Sequence, residues 1–134
     1  MNMDNYDSTY DSFAWQRPAN FNFVDDVVDR WASDEPDLEA IHWIDDNGNE
    51  RHISFAEHSE RAKQLANALA EAGVERGDYV LLILGRQVAW WEIMTACLRS
   101  GIVVCPGTTQ LSSKDIALRV EASGAVAVIT DDVV

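Results

Sequence analysis

Residues able to do chemistry are few in this chain, and they gather in one stretch. Pro106-Gly107-Thr108-Thr109-Gln110 brings two hydroxyls and a side-chain amide together, and Ser112-Ser113 follow as helix-starting residues. Hydroxyls, an amide and the free N–H groups of a helix N-terminus can together meet an anion or a polar chain. The same loop has a single glycine and no basic residue before Lys114, so on chemistry alone a plain connecting loop is the favoured reading. His42, His52 and His58 do not recur at metal-ligand spacing, and they read as structural or surface side chains; no metal ligand is expected. Cys97 and Cys105 sit in apolar text at a spacing that fits no metal motif, so two inert, buried thiols are expected. The chain holds no G-x-S-x-G, no G-x-G-x-x-G and no G-x-x-x-x-G-K-[ST]. No catalytic residue is therefore assigned.

The elements that must position these residues can be read from periodicity. Phe23, Val27, Val28 and Trp31 share one stripe of a short helix that Asn22 would cap. Ile41–Ile44 and Arg51–Ser54 flank Asn47-Gly48, a hairpin signal. A two-residue turn there sets Trp43 opposite His52 and His42 opposite Ile53. Ser54-Phe55-Ala56-Glu57 is a capping box, with Glu57 and Arg61 placed for an i,i+4 pair, and Gly73 ends the helix that follows. Tyr79–Leu84 is apolar on both faces, as in a buried parallel strand. Residues 87–100 form a helix apolar nearly all round, with Trp90, Trp91 and Leu98 expected in the core. Ile102–Cys105 is the next strand, Ser112 or Ser113 caps a helix to about Ala122, and 125–130 is a third strand, interior by its composition. Strand–helix–strand–helix–strand makes two βαβ units and hence a parallel sheet. The fold class is α/β: a partial parallel sheet, preceded by a helix and an antiparallel hairpin. Residues 1–20 read as an irregular arm whose Tyr6, Tyr10, Phe13 and Trp15 can pack back onto the body, and 21–134 as one incomplete domain.

Composition narrows the classes. At 134 residues and 47% hydrophobic, the chain can build a core. Its net charge is −13, and residues 1–60 hold fifteen of the 23 acidic residues but three of the ten basic ones. Such a surface repels phosphate backbones, so nucleic acid is not an expected partner. No run approaches a membrane span. The first twenty residues lack a basic segment and an apolar core, so a cytoplasmic location is expected.

Taken collinearly, FNFVDDVVDRWA (21–32), IHWIDDNGNERHISFAE (41–57), RAKQLANALAEAGVERGDYVLLIL (61–84), WWEIMTACLRSGIVVCPGTTQLSSKDIALRV (90–120) and AVITDDVV (127–134) resemble the N-terminal part of adenylate-forming acyl-CoA synthetases of the medium-chain and benzoate-type branch. The resemblance implies an ATP-dependent, AMP-forming ligase. A carboxylate attacks the α-phosphate of ATP with Mg²⁺ assisting, and the CoA thiol then displaces AMP from the acyl adenylate. It further implies that Gln110 of the PGTTQ loop lies at the CoA site. The family's Ser-Gly-Thr-Thr-Gly-x-Pro-Lys phosphate loop is absent from these 134 residues, PGTTQ lacks its second Gly, Pro and Lys, and Gly85 stands where relatives often carry Pro. The ATP grip and catalytic Lys are expected beyond Val134, so the chain alone is expected to be inactive and to bind ATP, Mg²⁺ and CoA at most weakly. An apolar strand at 125–130 left at a sheet edge predicts self-association. The alternative is a self-contained α/β binding or interaction module without catalysis.

Overall fold

The computed structural model describes residues 5–131. Its order is α1 (Tyr6–Ser12), a wide helical turn Val24–Val28 that runs on into α2 (Asp29–Asp34), β1 (Glu39–Ile44), β2 (Glu50–Ser54), α3 (Phe55–Glu71), β3 (Tyr79–Ile83), α4 (Val88–Ser100), β4 (Val103–Gly107), α5 (Ser113–Ser123) and β5 (Ala127–Thr130). β1 and β2 pair antiparallel, and β3 to β5 form a parallel sheet in the order β4-β3-β5. This is the α/β architecture expected, with the first parallel strand in the middle.

β3 is central because its side chains can be buried on both faces. Val80 and Leu82 point into a cluster with Val74, Ile93, Cys97 and Ile102, against which Leu65 and Leu69 of α3 pack. Leu81 and Ile83 are equally buried, and strand alternation sends them to the opposite face. The second crossover runs back across β3, so its right-handedness carries α5 to that opposite face. α5 covers it thinly: none of its residues is fully buried, and Leu118 and Val128 remain exposed.

Helix ends follow the residues that cap them. Ser54 Oγ accepts from Glu57 N at 3.2 Å to start α3. The expected return bond from Glu57 and its pair with Arg61 are not what forms: Glu57 lies 3.9 Å from Arg51, and Arg61 lies 3.7 Å from the buried Glu92 of α4. α3 ends with Gly73 N donating to Ala70 O and Val74 N to Leu69 O, the paired bonds of a left-handed glycine stop. Gly101, at φ 70°, stops α4, and its missing Cβ leaves room for Arg76, whose Cγ would lie 3.0 Å from one.

Four expectations are corrected. The arm is helical over Tyr6–Ser12, capped by Asn5. Its aromatic rings face one another and solvent instead of the body: Tyr6 stacks on Tyr10, and Phe13 meets Trp15 edge-on. In the second helix the wide turn, closed by Asp29 N donating to Val24 O, buries Val24 and Val28 and leaves Phe23 and Trp31 substantially exposed. The hairpin pairs His42 with His52, Trp43 with Arg51 and Ile41 with Ile53. Its loop has three residues, because Gly48 N donates to Asp45 O and Asp45 N to Asn49 O, a type I turn followed by glycine at φ 81°. In α4, Trp91 and Leu98 are 50% and 45% exposed and not core. β5, apolar enough for an interior strand and expected here at a sheet edge, has a single partner, β3, among the described residues.

Packing beyond the sheet depends on one polar hub. Arg99 of α4 grips Asp29 of α2 with two nitrogens, at 2.8 and 2.6 Å, and Ser59 of α3 donates to the same carboxylate at 2.6 Å. The guanidinium holds the Asp29 carboxyl below its ordinary range, and Asp29 in turn raises Arg99.

Candidate functional site at the carboxyl end of the sheet

In a parallel sheet of this kind, ligands sit outside the carboxyl ends of the strands. Three loops converge there. The loop after β4 is Thr108-Thr109-Gln110-Leu111, with the first three residues exposed. A turn fixes it: Leu111 N donates to Thr108 O and Gln110 N to Thr108 Oγ1, each at 3.3 Å. Its height above the strand is set by Gly107. A Cβ there would stand 2.9 Å from Leu111 Cδ1 and 3.4 Å from Ile83 Cγ1, so the glycine lets Leu111 fold down beside the strand end. Gln110 is left on the outer side with its amide in solvent. Ser112 then caps α5 in a full reciprocal box with Asp115, and the Ser112 bonds hold the Asp115 carboxyl below its usual range. The cap therefore uses N–H groups that an anion would otherwise take.

The reversal of strand order places the switch point between β3 and β5, on the other side of β3 from Gln110. There the residues after β3, Leu84 to Gln87, face Asp131 after β5, and Gln87 Nε2 donates to Asp131 Oδ2 at 3.0 Å. The hairpin leans on the same loop through Trp43 Nε1, which donates to Arg86 O at 2.7 Å. Trp43, Leu84, Arg86, Trp90 and Trp91 line a cavity of about 540 Å³. Trp90 and Trp91 meet edge-to-face at 4.6 Å between centroids. Arg86, Gln87 and Asp131 were not singled out from the sequence. The signal was present, since each lies within four residues of the carboxyl end of a parallel strand.

The remaining candidates lie elsewhere. His58 is buried between α3 and α4, its Nε2 2.9 Å from Thr95 Oγ1 and its Nδ1 without a partner; burial pushes its pKa down while Glu92 opposes that. Cys97 is buried in the apolar core, which pushes its thiol up to about 11, and Cys105 is half-buried. His42 and His52, expected apart, stack at 4.2 Å on the outer face of the hairpin, with Glu39 and Glu50 beside them. The one-residue change in register is what brings them together.

Neither the PGTTQ loop nor the switch point offers a glycine-rich run with a lysine, so the residues here do not fit a nucleotide triphosphate and its Mg²⁺. Gln110 presents an exposed side chain from the turned loop. Among the described residues, no helix is long and apolar enough to cross a membrane.

Comparison with known proteins agrees with this geometry. The profile of the AMP-binding enzyme family matches residues 28–134. The human protein named "Acyl-coenzyme A synthetase ACSM3, mitochondrial" is 44% identical over 138 aligned positions, which cover 98% of this chain and 24% of that protein. This chain thus spans about a quarter of the length of the curated relatives it matches. Those relatives carry the word mitochondrial in their names, which does not bear out the cytoplasmic location expected for this one. The N-terminal subdomain of Klebsiella oxytoca NpsA superposes with a TM-score of 0.72 at 27% identity, over 83% of this chain and 28% of that one. O-succinylbenzoate coenzyme A synthetase (MenE) from Bacillus subtilis, solved with AMP, superposes with a TM-score of 0.70 at 25% identity, over 78% and 26%. Sheet order, loop placement and these matches together identify the chain as a member of the AMP-binding enzyme family.

Proposed function

We propose that this chain belongs to an AMP-forming acyl-CoA synthetase that converts a medium-chain or aromatic carboxylic acid, ATP and CoA into acyl-CoA, AMP and pyrophosphate. The observation that carries the reading is the 44% identity to an acyl-coenzyme A synthetase along almost the whole chain. Within that enzyme these residues are scaffold and one wall of the CoA approach. They supply part of the parallel sheet and present Gln110 from a loop whose height Gly107 sets. ATP and Mg²⁺ belong to residues outside this chain.

Two measurements test this. Gln110→Ala in the complete enzyme raises the apparent KM for CoA and leaves ATP–pyrophosphate exchange unchanged; an unchanged dependence on CoA removes Gln110 from the site. The 134-residue chain alone gives no carboxylate-dependent exchange, and exchange by it would show that the phosphate grip lies within it. We further propose that the isolated chain self-associates through residues 125–130, where the exposed Val126 precedes β5 and the exposed Val128 lies within it.

A further inference from the structure

We propose that Glu39, His42 and His52 form a surface site for a divalent transition-metal ion, with Zn²⁺ as the reference ligand. One donor atom from each of the three side chains lies within 4.8 Å of the other two. A tetrahedral zinc ion with bonds of about 2.0–2.2 Å holds its donors about 3.4 Å apart. All three side chains are exposed, so side-chain rotation closes the remaining gap without moving the strands.

The frame is specific to this hairpin. Glu39 and His42 are three residues apart on β1, and plain alternation would put them on opposite faces. The pairing register shifts between Glu39 and Ile41. That irregularity turns Glu39 onto the face of His42, where its carboxylate meets His52 Nδ1. His52 sits directly opposite His42 in the ladder. Had Asn47-Gly48 made a two-residue turn, His52 would face Trp43 and the set would not exist. Glu50 Oε2 lies 2.7 Å from His42 Nε2 and 3.5 Å from His52 Nε2. It hydrogen-bonds the His42 imidazole and stands close to that of His52.

The donor set selects the ion. Two imidazoles and one carboxylate suit Zn²⁺, Cu²⁺ or Ni²⁺ and leave a position for water, whereas Mg²⁺ and Ca²⁺ demand oxygen. A net charge of −13 raises the local concentration of any cation. The bound ion clips β1 to β2 across the shifted register. It plays no part in acyl transfer, and the inference does not rest on the proposed activity.

Calorimetric titration of the tag-free 134-residue chain with Zn²⁺, in a non-chelating buffer at pH 7.5, tests the site. The expected result is one ion per chain, no competition from excess Mg²⁺, and a melting temperature that rises with Zn²⁺. Affinity falls about tenfold or more in His42→Gln, His52→Gln and the near-isosteric, exposed Glu39→Gln, each checked for an unchanged far-ultraviolet circular dichroism spectrum. Cys105→Ser binds as the parent does. Absence of binding, binding that survives all three substitutions, or binding lost with Cys105 would overturn the assignment.

Discussion

Asp29 is the residue on which most of the polar packing converges. Its carboxylate takes two bonds from Arg99 and one from Ser59, joining α2, α3 and α4. The side chains of Asp29 and Arg99 are 26% and 17% exposed, so the pair is shielded enough to matter and wet enough to keep its desolvation cost modest. Asp29→Ala is expected to cost about 2 kcal/mol in urea unfolding, the range for hydrogen bonds to charged groups. Asp25→Ala, which removes only a 3.4 Å contact to the same arginine, should change stability by less than about 0.5 kcal/mol. His58 gives the chain a pH dependence of definite sign. Burial lowers its folded pKa, so the folded state resists the proton that the unfolded state accepts at about 6.5. Its contribution to stability is complete above that value and is lost as pH falls below it. His52, raised mainly by Glu39, works the other way: its contribution is present at low pH and lost as pH climbs through its raised value. Urea midpoints in a His52→Gln background should therefore fall between pH 7.5 and 5.5, and His58→Asn should flatten that slope. None of these partnerships was visible in the text of the chain, because Asp29 and Arg99, or His58 and Thr95, meet only after the helices have packed.

At the scale of elements, local chemistry was legible and register was not. The caps at Ser54 and Ser112, the stop at Gly73 and all three parallel strands stand where turn residues and apolar runs put them. The hairpin was recognised, yet its pairing was off by one. Asp45 accepts from Asn47 N, Asn49 N and Asn49 Nδ2, and those bonds favour a turn one residue longer than Asn-Gly alone predicts. The Trp91 and Leu98 positions failed for a different reason. An all-apolar helix reads as buried on every side, but α4 has neighbours on only part of its circumference. Gly101→Ala is the substitution that tests an element boundary. It forces a side chain into a left-handed position, with Arg76 Cγ 3.0 Å away, and should cost at least about 1 kcal/mol. Arg76→Ala in the same background should recover the steric share alone, as a double-mutant cycle would show.

For the molecule as a whole, the sheet is unequal on its two faces. The face that α3 and α4 cover is well packed, while α5 leaves Leu118, Val126 and Val128 exposed on or beside the other. Light scattering should find an apparent mass that grows with concentration, and Val128→Lys should reduce it by placing a charge on the edge strand. A concentration-independent monomeric mass would favour the self-contained module instead. The position of Gln110 was legible at this scale, because the carboxyl end of a parallel strand is where such a loop must lie. The switch point at Gln87 and Asp131 was not, since it depends on which side of β3 the third strand joins, and composition does not specify that.

The wide turn at Val24–Val28 has one more consequence. Each residue of an α-helix advances the side chains by about 100°, so a turn closed five residues back instead of four acts as a one-residue phase shift built into the backbone. Ordinary α-helical winding of the same residues would bring Phe23, Val27 and Trp31 into line as the sequence suggests. It would also swing Asp29 about 100° around the axis, out of the grasp of Arg99. The helix gives up its regular apolar stripe and, in return, its carboxylate arrives at the right clock position.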